Sequence, residues 1–222
     1  MFDSRPIPQS MSVTLGYFEY ITTVHTIYDL RHLESFRTSY GVYKRIVHYN
    51  YNTFDEIDAR YDITLLKLDS HLPIQTNKSC RYIAQTNGIC LPDTDIVNTD
   101  EELALTAGFG YIDYGIANYG PLIMGWIIID KPFNNSLDLW SDRIIAHRYP
   151  INSGAATCAG DSGGPLVQYV GSRAVLIGLV RGLTAFENMI ETDCIDYNTI
   201  NKMDFIRISR FVNWIIDTIK YN

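Results

Sequence analysis

The sequence has no apolar run long enough to cross a membrane; the longest candidate, Leu122 to Ile129, is strand-sized and contains Gly125. It also has no run of basic residues, since 18 Lys and Arg stand against 25 Asp and Glu, for a formal net charge of −7. Such an acidic chain offers no electrostatic basis for binding nucleic acid. The N-terminal stretch MFDSRPIPQSMS lacks the apolar core and the cleavage site of a signal peptide. We therefore expect neither nucleic acid nor membrane as a partner.

Cysteine is scarce, and none of it lies in a CxxC pair or in a Cys/His group with zinc spacing. The sequence therefore predicts neither a metal site nor another cofactor. The four cysteines are Cys80, Cys90, Cys158 and Cys194. An even number at wide spacing is typical of two disulfide bonds and an oxidising compartment, and glycan acceptor triplets at 77–79 and 134–136 agree with this. We expect an extracellular, secreted protein.

What the chain does contain is typical of an all-β protein. Its 16 tyrosines and many β-branched residues fall in short runs that Gly, Pro, Asn and Asp interrupt. Short strands at this spacing predict a barrel or a sandwich. The predicted strands are Ser12–Tyr20, Gly41–Tyr49, Asp62–Leu68, Leu103–Gly110, Pro121–Asp130, Gly164–Val170 and Ala174–Gly182.

One helix is predicted, at the C-terminus, where apolar residues recur at three- and four-residue steps and Ser209 is a candidate cap. The repeating residues are Ile208, Phe211, Val212, Ile215, Ile216 and Ile219. The segment Leu91–Glu102 is acidic and poor in apolar residues, and it is interpreted as a linker between two halves.

The stretch CAGDSGGPLV, Cys158 to Val167, carries the chemistry. Acyl transfer needs an exposed hydroxyl and hydrogen-bond donors aimed at the developing oxyanion. Gly160 lacks a Cβ, so its N–H can turn inward beside that of Ser162, and the following glycines let the chain leave the turn. A bare GxSG is also compatible with a glycine-rich turn that carries an idle serine. The longer run favours a nucleophile loop.

This run resembles the nucleophile motif of the chymotrypsin-like serine proteases. YDITLLKL resembles the strand that carries their triad aspartate, which implies that role for Asp62; the alternative is a strand-end aspartate facing water. Further similar segments are RIVHYNYN, ICLP, LTAGFG and RFVNWI. The resemblance implies two six-stranded Greek-key β-barrels and a C-terminal helix, with the first barrel lacking its first strands. It implies a partial N-terminal barrel over residues 1–95, a second barrel over 96–207 and the helix over 208–222.

The resemblance also implies a disulfide between Cys158 and Cys194 beside the substrate pocket. Cys80 and Cys90 are then left to close a short local loop.

The family's catalytic histidine lies in an Ala-Ala-His-Cys string, and this sequence has none. Among its five histidines, only His25 and His32 precede Asp62 by a suitable length, and His25 is the candidate base. The alternative is that residues 21–40 form an enlarged loop and that the chain begins after the histidine.

In the family, an N-terminus made by cleavage donates an ammonium to the aspartate before the serine, here Asp161. This sequence contains no Ile-Val-Gly-Gly-like terminus. We therefore expect Asp161 to lack a partner and the loop to relax into an inactive, zymogen-like state.

By the same resemblance, Ala156 lies at the base of the substrate pocket, where a small neutral residue would not hold Lys or Arg. The pocket wall is assigned to Arg181, Gly182 and Leu183, and the leucine is expected to narrow the entrance. Met203 replaces a glycine of the last strand and would partly fill the pocket.

The residues are thus typical of a secreted serine endopeptidase. Ser162 would attack the carbonyl, Asp62 would orient a histidine, and the N–H groups of Gly160 and Ser162 would hold the oxyanion. The alternative is a non-catalytic homologue that binds a protein or peptide partner through the inherited surface; a third possibility is a fragment without a function of its own. Because the histidine string is absent, we expect little or no peptidase activity from this chain.

Overall fold

A computed structural model of the chain describes residues 11–15, 38–51, 61–72, 88–93, 102–110, 122–130, 142–150, 154–184 and 202–222. The chain divides into two compact units, Met1–Gly88 and Ile89–Asn222. The boundary expected after residue 95 falls a few residues later than this division. The C-terminal helix, expected as a separate segment, lies within the second unit.

The first unit contains a three-stranded antiparallel sheet in the order β1-β2-β3. Its strands are β1 (Ser12–Leu15), β2 (Thr38–Val47) and β3 (Thr64–Leu68). The central strand, β2, shifts register between Val42 and Lys44 where it pairs with β3. Ile46 and Ile63 are buried in this unit, whereas much of β3 is exposed.

The second unit contains a closed six-stranded barrel in the order β4-β5-β6-β9-β8-β7. Its strands are β4 (Leu103–Gly108), β5 (Ile123–Ile129), β6 (Arg143–Arg148), β7 (Pro165–Val170), β8 (Arg173–Thr184) and β9 (Lys202–Arg207). All the neighbouring pairs are antiparallel. The expected all-β architecture, with a six-stranded barrel and a C-terminal helix, is confirmed.

The barrel is filled by apolar side chains from all six strands, as the alternation of a half-buried strand requires. The core cluster consists of Ala104, Ile127, Ile129, Ile144, Ala146, Leu166, Val175, Ile177, Val180, Met203 and Phe205. Ala155 and Ala156, which precede the nucleophile loop, pack against this cluster. The loop is therefore attached to a close-packed support.

The chain ends in a 3₁₀ turn, Ile208–Arg210, followed by helix α1 (Val212–Tyr221). The expectation that Ser209 caps the helix is wrong, because Phe211 is the N-cap residue and no side chain caps it. Ile215 is buried as predicted, but Ile216 and Ile219 are 51% and 68% exposed. In the described part of the chain, no helix is long and apolar enough to span a membrane.

Candidate active site

The nucleophile loop runs from residue 154 to 164 and leads into β7. The Asp161 N–H donates to the Cys158 carbonyl over 3.0 Å, and the Gly164 N–H donates to the Asp161 carbonyl over 2.8 Å. These two successive turns place Ser162 at an exposed position. The local sequence permits this course because Gly160 and Gly163 have φ angles of 92° and 81°, where a Cβ would be strained.

Strand β8 holds the exit of the loop. The Gly163 N–H donates to the Val180 carbonyl over 2.8 Å, and the Val180 N–H donates to the Gly164 carbonyl over 2.8 Å. Both residues that follow Ser162 are thus bonded to one position of a barrel strand. This arrangement limits the positions that the serine can take.

The carboxylate of Asp161 accepts two backbone hydrogen bonds. Gly110 N–H donates to Oδ1 over 2.7 Å, and Cys158 N–H donates to Oδ2 over 2.8 Å. The expectation that Asp161 lacks a partner is therefore wrong, because the segment after β4 and the loop itself supply donors. A Cβ on Gly108 would lie 1.9 Å from Asp161 Oδ1, so the first glycine of LTAGFG makes room for this carboxylate.

The N–H groups of Gly160 and Ser162 donate no hydrogen bond within the described ranges. Both residues are exposed. Two such amides close to a serine hydroxyl are the donors that a tetrahedral oxyanion requires. Their assignment as an oxyanion hole stays a prediction, which this geometry supports.

A cavity of about 50 Å³ lies beside Asp161. Its lining includes Gly108, Met124, Ala156 and Thr157. The hydroxyl of Thr157 is buried and has no hydrogen-bond partner in the described part of the molecule. The cavity has room for about one or two water molecules.

The residues assigned to the substrate pocket lie on β8, β9 and the loop. Met203 is fully buried, and its sulfur accepts a hydrogen bond from the Thr157 N–H over 3.4 Å. Ala156 is half-buried and precedes Thr157 in the chain. Gly182 and Leu183 pair with Asp204 and Met203 across β8 and β9; the Leu183 side chain lies outside the described part.

The Arg181 side chain on β8 forms an ion pair with a residue of β9. Its Nη1 donates to Asp204 Oδ2 over 2.7 Å, and Arg143 Nη1 lies 3.3 Å from the same oxygen. Neither Asp204 nor Arg143 is among the site residues predicted from the sequence. Charged residues within otherwise apolar strand runs are the signal that could reveal them.

Asp62 lies in the first unit, between Tyr61 and the start of β3, and it is exposed. His25 and His32, the two candidate bases, lie outside the described residues. The triad assignments of Asp62 and His25 stay predictions.

The imidazole ring of His48 packs against two tyrosine rings. Its ring stacks on Tyr49 and Tyr61 at centroid distances of 4.5 and 4.9 Å, and its Nδ1 accepts a hydrogen bond from the Asn50 N–H over 3.2 Å. Burial lowers the pKa of its imidazole. His48 is therefore a packed side chain of the first unit.

Of the two disulfide bonds expected from the sequence, one is not formed and the other stays a prediction. Cys90 is exposed and free, so the expected Cys80–Cys90 bond is not formed in this structure. Its backbone pairs with β8 instead, through the Cys90 N–H to the Ala174 carbonyl and the Leu176 N–H to the Cys90 carbonyl. Cys158 takes part in a disulfide bond. Because Cys80 and Cys194 lie outside the described residues, the pairing of Cys158 with Cys194 stays a prediction.

Comparisons with known proteins agree with this architecture. A family model described as Trypsin matches residues 18–215. The solved structure of neuropsin, a serine protease expressed in the limbic system of mouse brain, superimposes with a TM-score of 0.64 at 20% sequence identity. That match covers 96% of this chain and 81% of the neuropsin chain. At this identity, the likeness to neuropsin concerns the fold.

Proposed function

Because the chain belongs to the trypsin family of serine proteases, we propose that it transfers peptide acyl groups to Ser162. The observation that carries the proposal is the exposed serine beside two amides that donate no hydrogen bond in the described ranges, on a loop whose Gly160 has a φ of 92°. The Asp161 carboxylate and the bonds to Val180 hold this arrangement. An idle glycine-rich turn would need none of these supports.

In the proposed reaction, the Ser162 oxygen forms a bond to the carbonyl carbon of the substrate while a base takes the hydroxyl proton. The carbonyl oxygen becomes an oxyanion, and the N–H groups of Gly160 and Ser162 donate hydrogen bonds to it. The carbon–nitrogen bond then breaks, and the leaving amine receives the proton. Water hydrolyses the acyl-enzyme by the same route, which regenerates the serine.

The base is the part of the machinery that these residues do not supply in the family's form. His48 is stacked on Tyr49 and Tyr61, and His25 stays the candidate within the sequence. We therefore expect slow acylation of Ser162 by this chain, and acceleration when a base is supplied from solution.

Exogenous imidazole provides the test. The chain is incubated with a fluorophosphonate probe at increasing imidazole concentration, and labelling of the Ser162 peptide is quantified by mass spectrometry. We expect labelling that rises with imidazole, is absent in Ser162→Ala and is unchanged in Ser172→Ala, a matched exposed serine in the turn between β7 and β8. Labelling that is independent of imidazole and lost in His25→Ala would identify His25 as the base.

A second candidate function is a non-catalytic module that binds a protein or peptide. Met203 favours it, because the sequence assigns this residue to the pocket, where a methionine is expected to leave little space for a substrate side chain; its sulfur accepts a hydrogen bond from the Thr157 N–H, next to Ala156. If Ser162 stays unlabelled at every imidazole concentration, acyl transfer is refuted and this alternative is favoured. An extracellular location fits both functions.

A further inference from the structure

A charge cluster lies on strands β6, β8 and β9 of the barrel. Asp204 on β9 lies between Arg181 on β8 and Arg143 on β6, and its side chain is 4% exposed, against 18% for each arginine. Two guanidinium groups thus share one carboxylate. Charges that are withdrawn from water require opposite charges nearby, and a local excess of one sign favours a ligand of the other sign.

Another arginine lies beside this cluster. Arg207 on β9 donates through Nη2 to the Arg143 carbonyl over 2.9 Å. Its pKa is lowered, first by burial and then by the positive charge of Arg210, although Asp142 acts in the opposite direction. Asp142 in turn pairs with Arg210, whose Nε lies 3.7 Å from Asp142 Oδ1.

Arg181 is the member of the cluster that lies closest in the chain to the substrate-binding elements. It directly follows Val180, whose N–H and carbonyl bond to Gly164 and Gly163. Those two glycines follow Ser162. The guanidinium is therefore carried by a strand position adjacent to the one that holds the nucleophile loop.

Arg181 also has donors to spare. A guanidinium has five N–H donors in a planar fork that matches a carboxylate. Its single hydrogen bond within the described part of the chain goes to Asp204, and its side chain is partly exposed. Asp204 orients the fork and uses one donor, which leaves the others for an incoming acceptor.

From these observations, and given the proposed function, we propose that Arg181 binds the carboxylate of an Asp or Glu side chain in the peptide that reaches Ser162. Asp204 acts as a positioning residue that orients Arg181, and Arg143 Nη1 lies 3.3 Å from the same carboxylate oxygen. The chain is thereby directed to acidic peptides despite its own net charge of −7.

Binding is measured with the Ser162→Ala variant, so that no peptide is cleaved. The immobilised variant is exposed to paired peptide libraries that differ at one position, Glu in one and Gln in the other, and that position is moved along the peptide. Retained peptides are quantified by mass spectrometry. Because hydrogen bonds to charged groups are the stronger class, we expect about tenfold greater retention of Glu than of Gln at one position.

Variants of the cluster separate recognition from a structural role. Arg181→Gln is expected to abolish the preference for Glu and Arg181→Lys to keep part of it, whereas Arg173→Gln, the same change at the exposed start of β8, leaves it intact. Asp204→Asn weakens the charged hydrogen bond that orients Arg181 and is expected to lower the preference, which decides the matter if Arg181→Gln does not fold.

Equal retention of Glu and Gln, retention of neither, or an unchanged preference in Arg181→Gln or Asp204→Asn would overturn the proposal. Fluorophosphonate labelling is read separately. Labelling of Ser162 without a preference for Glu supports acyl transfer and refutes the carboxylate site. A preference for Glu without labelling of Ser162 supports the carboxylate site and refutes acyl transfer.

Discussion

Adding one methyl group at Gly108 is expected to disorder the nucleophile loop. The Cβ of Gly108→Ala would lie 1.9 Å from Oδ1 and 2.7 Å from Cγ of Asp161, far inside van der Waals distance. A second glycine, Gly110, lies close to the same carboxylate on this segment. The carboxylate must therefore move, and it cannot keep its hydrogen bonds to the Gly110 and Cys158 amides.

The size of the effect follows from the two hydrogen bonds that break and from the steric clash. A hydrogen bond to a charged group contributes about 1.5–3 kcal/mol, and overpacking by a methyl group costs about 1–3 kcal/mol. These costs overlap, because movement of Asp161 relieves the clash while it breaks the bonds. We expect Gly108→Ala to lower the free energy of unfolding by about 3–6 kcal/mol, the sum for the two hydrogen bonds.

Two measurements check this expectation. Urea denaturation gives the free energy of unfolding, and fluorophosphonate labelling in the presence of imidazole reports whether Ser162 and its amides stay in place. The matched control is Gly88→Ala, where an added Cβ meets no atom within 4 Å. A Gly108→Ala protein with the stability and labelling of the parent would refute the role assigned to Asp161.

Three further predictions concern single side chains. Gly160→Ala places a Cβ at a φ of 92° and displaces an oxyanion donor, so imidazole-dependent labelling of Ser162 is expected to fall about 100-fold; Gly171→Ala, also at positive φ but in the turn between β7 and β8, should leave labelling unchanged. Met203→Ala is expected to cost about 2–5 kcal/mol in thermal or urea unfolding and to admit bulkier apolar side chains in the peptide-library assay; unchanged stability would contradict its burial. Burial lowers the pKa of His48 below 6.5, so the unfolded state binds a proton before the folded state does as the pH falls. The contribution of His48 to the free energy of unfolding is therefore complete above about pH 6.5 and decreases below it. His48→Gln should remove this dependence, as urea titrations at several pH values would show.

Most of the barrel strands could be predicted from the local pattern of apolar residues in the sequence. Apolar runs bounded by turn residues predict β5, β7 and β8 to within a few residues of their observed ends. Strand β6 is not among the predicted strands, because Arg143, His147 and Arg148 interrupt its apolar run. Arg143 is compatible with a barrel strand because Asp204 lies beside it, and a neighbour that distant in sequence is not visible from local pattern.

The helix shows a similar limit. Its apolar periodicity predicts a helix, but one that starts too early, since residues 208–210 form a 3₁₀ turn and α1 begins at Val212. The outer apolar positions, Ile216 and Ile219, face solvent. Three- and four-residue spacing is compatible with a wide buried face of the helix as well as with a narrow one, and only the packed structure distinguishes the two.

At the candidate site, the motif predicts Ser162 and Gly160, and it does so because their roles depend on local backbone. The partners of Asp161 are not predicted. One is the amide of Gly110, 51 residues away along the chain. The expectation that Asp161 lacks a partner follows from considering charged partners alone, whereas backbone amides also satisfy a carboxylate.

The two oxygens of Asp161 join the segment after β4 to the loop before β7, so neither segment can open without releasing the other. Solvent protons would then reach the amides of Gly110 and Cys158 in the same opening event. Their hydrogen-exchange rates should therefore respond together to temperature and to denaturant, as those of a single cooperative unit.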